Sequence, residues 1–231
     1  SLPDSRPTND WMPMPRRGNA SCSSIDAARG AFGNDTLLVT GGTGRVGSAI
    51  AARLEADGFR VLAAGRRDGD LSAAAGARAL VERAAAELGG LDLVVHAASD
   101  GFEPRSVEEV SEEDWDAAFG ATAKGSFFVA QAAAPHLRGS ELGLLILVED
   151  VAAYQPWPSF APHCAAKAAQ AMLTRVLARA LAPDVRVCGV APGTVAVEPE
   201  QEERRAAETV RGRLGSPEDV AGAVAYLVSA P

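Results

Sequence analysis

The chain has 231 residues, 47% of them hydrophobic, which supports one sizeable core and is too short for two ordinary domains. Its 22 Lys and Arg against 30 Asp and Glu leave a formal charge of -8, so phosphate backbones and anionic lipid are repelled and neither nucleic acid nor a membrane is an expected partner. No apolar run approaches the roughly 18 residues of a spanning helix, the start SLPDSRPTND lacks a signal-peptide core, and Cys22, Cys164 and Cys188 form no CxxC or paired framework, so a cytoplasmic protein in a reducing compartment is expected.

Residues 1–35 are rich in Pro, Ser, Asn and Arg without helical or strand periodicity, and their four basic and four acidic side chains cancel. They read as a disordered extension; the other reading is an arm anchored on a partner subunit by Trp11, Met12 and Met14. Residues 36–231 form the domain. Short apolar runs predict buried strands at Leu37–Val39, Val61–Ala63, Leu91–Val95, Leu144–Val148 and Val185–Val190. Apolar residues three or four apart predict helices through Val46, Ile50 and Leu54, through Leu80, Ala84 and Leu88, and through Met172, Val176 and Ala180. Two more are expected, one around Asp114 to Ala134 behind an acidic first turn, and one over Pro217 to Val228 with Ser216 as its cap. Strands alternating with helices throughout define a single α/β domain, a doubly wound, Rossmann-like parallel sheet with helices on both faces.

Directly after the first strand stands Thr40-Gly41-Gly42-Thr43-Gly44-Arg45-Val46-Gly47, and a helix follows at once. Glycines there permit a tight turn, close approach of backbone N–H groups to a pyrophosphate, and close packing of helix on strand, while the helix N-terminus supplies positive potential. This placement predicts dinucleotide binding. At the end of the second strand, where an NAD site usually carries an acid for the adenosine ribose, stand Arg66 and Arg67. Guanidiniums suit a 2′-phosphate, so NADP(H) is expected over NAD(H); the alternative is a solvated basic loop.

The glycine turn, Asp70-Leu71, Ala97-Ala98-Ser99, Lys124-Gly125-Ser126-Phe127-Phe128 and Ala191-Pro192-Gly193 follow in an order that resembles the short-chain dehydrogenase/reductase family over residues 36–228. The resemblance implies a cofactor site of Gly41, Thr43, Gly44, Arg45, Val46, Gly47, Arg66, Arg67, Asp70, Leu71, Ala97, Ala98, Ser99, Lys167, Pro192, Gly193 and Val195. It also implies where the catalytic groups fall. The family's Tyr and its Lys four residues on correspond to His163 and Lys167; its Ser, thirteen residues before the Tyr, corresponds to Asp150; its Asn corresponds to Thr122, and Val197 falls where a Thr often stands. Two lengths also differ from the family: a helix and part of a strand are short-cut between Arg67 and Asp70, and a final strand is expected after Pro231.

An imidazolium is a competent acid near neutral pH, whereas an ionised Asp150 only accepts hydrogen bonds, so Asp150 is read as orienting His163. The expected activity is NADP(H)-dependent hydride transfer to or from a small carbonyl/alcohol or imine substrate. The alternatives are a non-redox isomerase, dehydratase or cyclase using Asp150 and His163, and a catalytically silent NADP(H)-binding paralogue. His96, Tyr154, Trp157 and Phe160 are candidate substrate contacts, the aromatic ones suggesting a flat apolar substrate; for His96 a structural role stands equally open. His136 is read as ending a helix, and 197–205 as a solvated charged helix. No metal is expected, and a homodimer or homotetramer is implied by the resemblance.

Overall fold

The computed structural model describes residues 34–100, 102–195 and 201–230, so Trp11, Met12, Met14, Cys22, Val197 and the proposed extension lie outside the described residues apart from its last two. Thr36–Thr40 (β1), Arg60–Ala64 (β2), Leu93–His96 (β3), Leu144–Val148 (β4) and Arg186–Val190 (β5) form one parallel sheet in the order β2-β1-β3-β4-β5. Seven helices accompany them among the described residues: Arg45–Ala56 (α1), Ala74–Leu88 (α2), Glu112–Phe119 (α3), Gly125–Arg138 (α4), Ala161–Ala180 (α5), Glu202–Ala207 (α6) and Pro217–Ser229 (α7).

Strands β1, β3 and β4 are buried along their whole length, as a sheet covered on both faces requires. Alternate residues serve the two faces. Leu38, Val94, Leu145 and Leu147 pack with Leu80 of α2, Val129 of α4 and Leu177 of α5. Leu37, Val39, Val95, Ile146 and Val148 pack with Ile50 and Leu54 of α1 and with Val220 and Val224 of α7. The strand order reverses between β1 and β3, which opens a crevice beyond the carboxyl ends of these strands.

Some boundaries differ from expectation for local reasons. The single helix expected around Asp114 to Ala134 runs with helical backbone from α3 into α4, with a π turn over Gly120–Lys124 between them. The turn forms where the loop carrying Leu71 and Ser72 lies against the helix: a Cβ on Gly120 would meet Ser72 Cβ at 2.9 Å, and one on Gly125 the Leu71 carbonyl oxygen at 3.1 Å. The third strand begins at Leu93, and just before it the Asp92 carboxylate accepts from the Thr36 N–H and hydroxyl and from Ser140 Oγ. After β2 a single 3-10 turn, Arg66–Asp68, precedes the loop into α2, so β2 is the sheet's edge. Helix α7 starts as the sequence predicts, with Ser216 accepting from the Asp219 N–H and Pro217 at the first position. His136 lies in the last turn of α4, its Nε2 3.4 Å from Glu82 of α2, and α6 is a mainly exposed charged helix.

Candidate active site

The crevice is built first by the glycine turn. Gly41 has φ +70, and a Cβ there would lie 2.7 Å from the backbone of Ala97 and Ala98, so the turn after β1 rests directly against the chain leaving β3. A Cβ on Gly47 would run into the Gly41 carbonyl, which holds α1 tight against the turn. Gly44 is the N-cap of α1 and carries no side chain to cap it, with Arg45 and Val46 in the first turn. This is the cradle a pyrophosphate requires, with no side-chain cap hydrogen bond at the helix N-terminus.

Thr43 closes the side toward β2, where a Cβ on Gly65 would strike its side chain. Arg66 and Arg67 follow, both exposed, and the Arg66 guanidinium donates to Asp100 Oδ1 at 3.2 Å across the chain after β3. Asp68, a carboxylate the sequence reading passed over, accepts from the Gly65 N–H and pairs with Arg83. Its pKa is lowered chiefly by the Gly65 hydrogen bond. Asp70 turns onto the N–H and hydroxyl of Ser72, and Leu71 is buried. Ser99 Oγ lies 3.1 Å from Thr122 Oγ1, which ties the π turn to the same crevice. On the far rim the Pro192 carbonyl accepts from the Val151 N–H, and Gly193 is open to solvent. Val195 packs instead on Gly215 and the cluster beneath α7.

Helix α5 brings His163 and Lys167 onto one face, one turn apart, because a spacing of four residues returns to the same side. His163 is 4% exposed and its Nε2 lies 3.3 Å from Asp150 Oδ2. The other Asp150 oxygen accepts from the Ala152 N–H at 2.8 Å, which fixes the carboxylate. Around the imidazole stand three aromatic rings. Trp157 lies parallel to it with centroids 6.4 Å apart, Phe102 meets it edge-on at 4.8 Å, and Phe102 stacks on Phe160 at 4.5 Å. Phe102, from the loop after β3, gave no sequence signal. His163 Nδ1 is buried without a hydrogen-bond partner among the described residues, an arrangement that costs about 1–3 kcal/mol.

Lys167 is equally buried, and its Nζ donates to the carbonyl oxygens of Val148 at 2.9 Å and Glu149 at 3.4 Å and to Gln170 Oε1 at 3.0 Å. Burial lowers its pKa to about 8, against the opposing pull of Asp150 and Glu149.

Two expected substrate contacts are corrected. His96 is wholly buried at the end of β3, with Nδ1 2.8 Å from Thr40 Oγ1 and Nε2 3.1 Å from the Ala121 carbonyl. Both nitrogens are satisfied within the protein, and burial lowers its pKa to about 4, so it is a neutral structural residue. Tyr154 donates to Glu149 Oε2 at 3.2 Å. The other oxygen of that buried carboxylate accepts from Thr174, eleven residues beyond His163 on α5, so the phenol is directed away from the imidazole. Glu149 was the signal available in the sequence: a second carboxylate beside Asp150 at the end of an apolar strand. No helix of the described residues is long and apolar enough to cross a membrane, and no cluster of His, Cys, Asp or Glu among them would hold a metal.

A doubly wound sheet with a glycine turn at its switch point and an acid–imidazole pair at the same carboxyl edge defines a dinucleotide-binding protein of oxidoreductase type. Residues 48–231 match the family model described as enoyl-(acyl carrier protein) reductase. Dehydrogenase/reductase SDR family member 4 of Homo sapiens is 31% identical over 237 residues, covering 90% of this chain and 85% of that protein. Among solved structures, 3-ketoacyl-(acyl-carrier-protein) reductase from Brucella melitensis complexed with NADH superposes with a TM-score of 0.79 at 26% identity, covering 86% of this chain and 92% of that one. A short chain dehydrogenase from Burkholderia cenocepacia J2315 in complex with NADP gives 0.78 at 28% identity, covering 85% and 91%. The chain belongs to the short-chain dehydrogenase/reductase family of oxidoreductases.

Proposed function

We propose that this protein is a cytoplasmic, NADP(H)-preferring oxidoreductase that interconverts a small carbonyl and its alcohol, or reduces an imine. The supporting observation is the Asp150–His163 pair one turn from Lys167, after the carboxyl end of β4 in the same parallel sheet whose β1 runs into the glycine turn. In this reading Gly41, Gly44 and Gly47 allow the backbone to approach the pyrophosphate, and Arg66, with Arg67 next to it in sequence, receives a 2′-phosphate by exchanging its ion pair with Asp100. Lys167 turns one Nζ donor from its 3.4 Å contact with the Glu149 carbonyl to the nicotinamide ribose.

The bound nicotinamide supplies hydride, and the chain supplies the proton. His163 in its protonated form would release the Nε2 proton to the substrate oxygen or nitrogen, that N–H leaving its 3.3 Å contact with Asp150 Oδ2 as substrate takes its place. Asp150, itself fixed by the Ala152 N–H, sets the orientation of the free ring. Phe102, Trp157 and Phe160 present an aromatic wall suited to a flat apolar substituent. Exposed Phe127, Met172 and Val176 on α4 and α5 support assembly into a homodimer or homotetramer.

Titration with NADPH and NADH, followed by nucleotide fluorescence and thermal midpoint, tests the reading, since a ligand of the folded state raises the midpoint. Tight NADPH and weak NADH binding, then loss of nicotinamide absorbance with a carbonyl substrate, is expected. Binding of neither overturns it, and product formed without any absorbance change favours an isomerase, dehydratase or cyclase on the same groups.

A further inference from the structure

Gln170 is wholly buried three residues beyond Lys167, and the bonding pattern forces the orientation of its amide. Lys167 Nζ only donates, so the Gln170 oxygen faces it at 3.0 Å and the amide nitrogen faces Ser126 Oγ at 2.9 Å. Having accepted there, Ser126 gives its own proton to the Thr122 carbonyl oxygen at 2.5 Å, within the π turn. Donors and acceptors are used in one consistent direction, from α5 across to α4 and the turn that borders the crevice.

We propose that Gln170 is a positioning residue: braced by Ser126 against the π turn, it fixes where the Lys167 ammonium sits and how readily that ammonium gives up its proton. Its catalytic consequence rests on the proposed role of Lys167 at the nicotinamide ribose, but the placement of Lys167 in the free protein does not. The charged and titratable groups facing Lys167 are Glu149 and Asp150 after β4, His96 at the end of β3, and His163 on α5 itself. Carboxylates favour the ammonium and burial opposes it, and the amide dipole of Gln170 adds a neutral acceptor between these extremes. A leucine at this position leaves one ammonium proton without an acceptor, whereas a glutamate adds a full opposing charge.

Lys124 and Lys167 are the two lysines of the chain, so lysine-selective 13C and 15N labelling gives two side-chain resonances, with the exposed Lys124 as internal reference. Titration of the full, cofactor-free chain should show Gln170→Leu moving the Lys167 midpoint down by about one pH unit and Gln170→Glu moving it up by about as much. Ser126→Ala, a milder change that removes only the brace, should move it down by less. Opposite signs from two substitutions of similar size are not the result of a merely structural loss. Shifts of the same sign, no shift in either Gln170 variant, or no shift in Ser126→Ala overturns the proposal. Adding NADPH to the parent then tests the cofactor role separately: an unmoved Lys167 resonance counts against that role and leaves the Gln170 result standing.

Discussion

Helices α5 and α7 cover opposite faces of one sheet and bury stripes with the same three-and-four spacing, yet the stripes differ in kind. Helix α7 buries Val220, Ala221, Val224, Ala225 and Val228 against α1 and the sheet. Helix α5 buries His163, Lys167, Gln170 and Thr174 among its Pro, Ala and Leu. Apolar burial stabilises by about 25 cal/mol per Å², whereas a buried polar group is a loss unless it is paired. The buried polar side chains of α5 are accordingly met, except for one imidazole nitrogen: His163 by Asp150 at Nε2 but not at Nδ1, Lys167 by two carbonyls and Gln170, Gln170 by Ser126, Thr174 by Glu149. Helix α7 therefore contributes apolar burial alone, whereas α5 gives up part of its own apolar stripe to hold charged and hydrogen-bonding groups in place.

The largest expected break in that contrast is functional. His163→Phe keeps the ring's packing against Phe102 and Trp157 and removes the proton, so turnover should fall by about 100- to 10,000-fold while NADPH affinity stays within about twofold. Turnover close to the parent enzyme's would remove His163 as the acid. A second break uses pH. The unfolded His96 takes up a proton below about 6.5, but the buried ring does so only near 4, so the unfolded state binds more protons between these values and stability falls as pH drops through that window. The loss is on the order of 3 kcal/mol, read as a falling urea midpoint between pH 7 and 4.5. His96→Asn should flatten that slope; an unchanged slope assigns the acid lability to other groups.

A reciprocal pair of substitutions sharpens the comparison. Thr174→Val on α5 removes the donor 2.6 Å from Glu149 Oε1 and leaves a buried carboxylate oxygen short of a partner. Val224→Thr on α7, at a wholly buried position, places a hydroxyl among apolar side chains. Each should cost about 1–3 kcal/mol in chemical denaturation, although one change makes its face more apolar and the other less. A stabilising Thr174→Val would show that the Glu149–Thr174 contact is dispensable, and the contrast between the faces would then be one of composition rather than of energetics.

Much of this was legible in the chain because short-range periodicity encodes it. The five strands were each located to within about two residues, since apolar runs bounded by Gly, Asp and Pro have few other solutions. His163, Lys167 and Asp150 were legible together only through the resemblance to the family's Tyr, Lys and Ser positions; helical spacing by itself puts just His163 and Lys167 on one face. The π turn was not legible, because what marks it is the close approach of Gly120 and Gly125 to the loop at Leu71 and Ser72, a contact between residues far apart in sequence. The directions of Tyr154 and His96 were hidden for the same reason: a candidate for the substrate wall becomes structural once Glu149, Thr40 or the Ala121 carbonyl takes up its polar atoms. Phe102 belongs with these, since only the fold brings the loop after β3 to Phe160 and His163.

The smallest expected effect lies at the mouth of the crevice, where neither stripe reaches. Arg66 is 83% exposed and its one assigned partner is Asp100, so replacing it disturbs no core and leaves the thermal midpoint of the free protein nearly unchanged. A 2′-phosphate offers a guanidinium more charge than a single carboxylate does, and it accepts two parallel hydrogen bonds. Arg66→Ser should thus weaken NADPH by about tenfold and leave NADH almost unaffected, a ratio read from paired fluorescence titrations. Low salt should widen the difference and high salt narrow it, because the contact is solvent-exposed and screened. An equal loss for both nucleotides would place Arg66 on the shared pyrophosphate instead. With no loss for either, the ion pair with Asp100 would be its whole function, and the preference for NADP(H) would pass to Arg45 or Arg67.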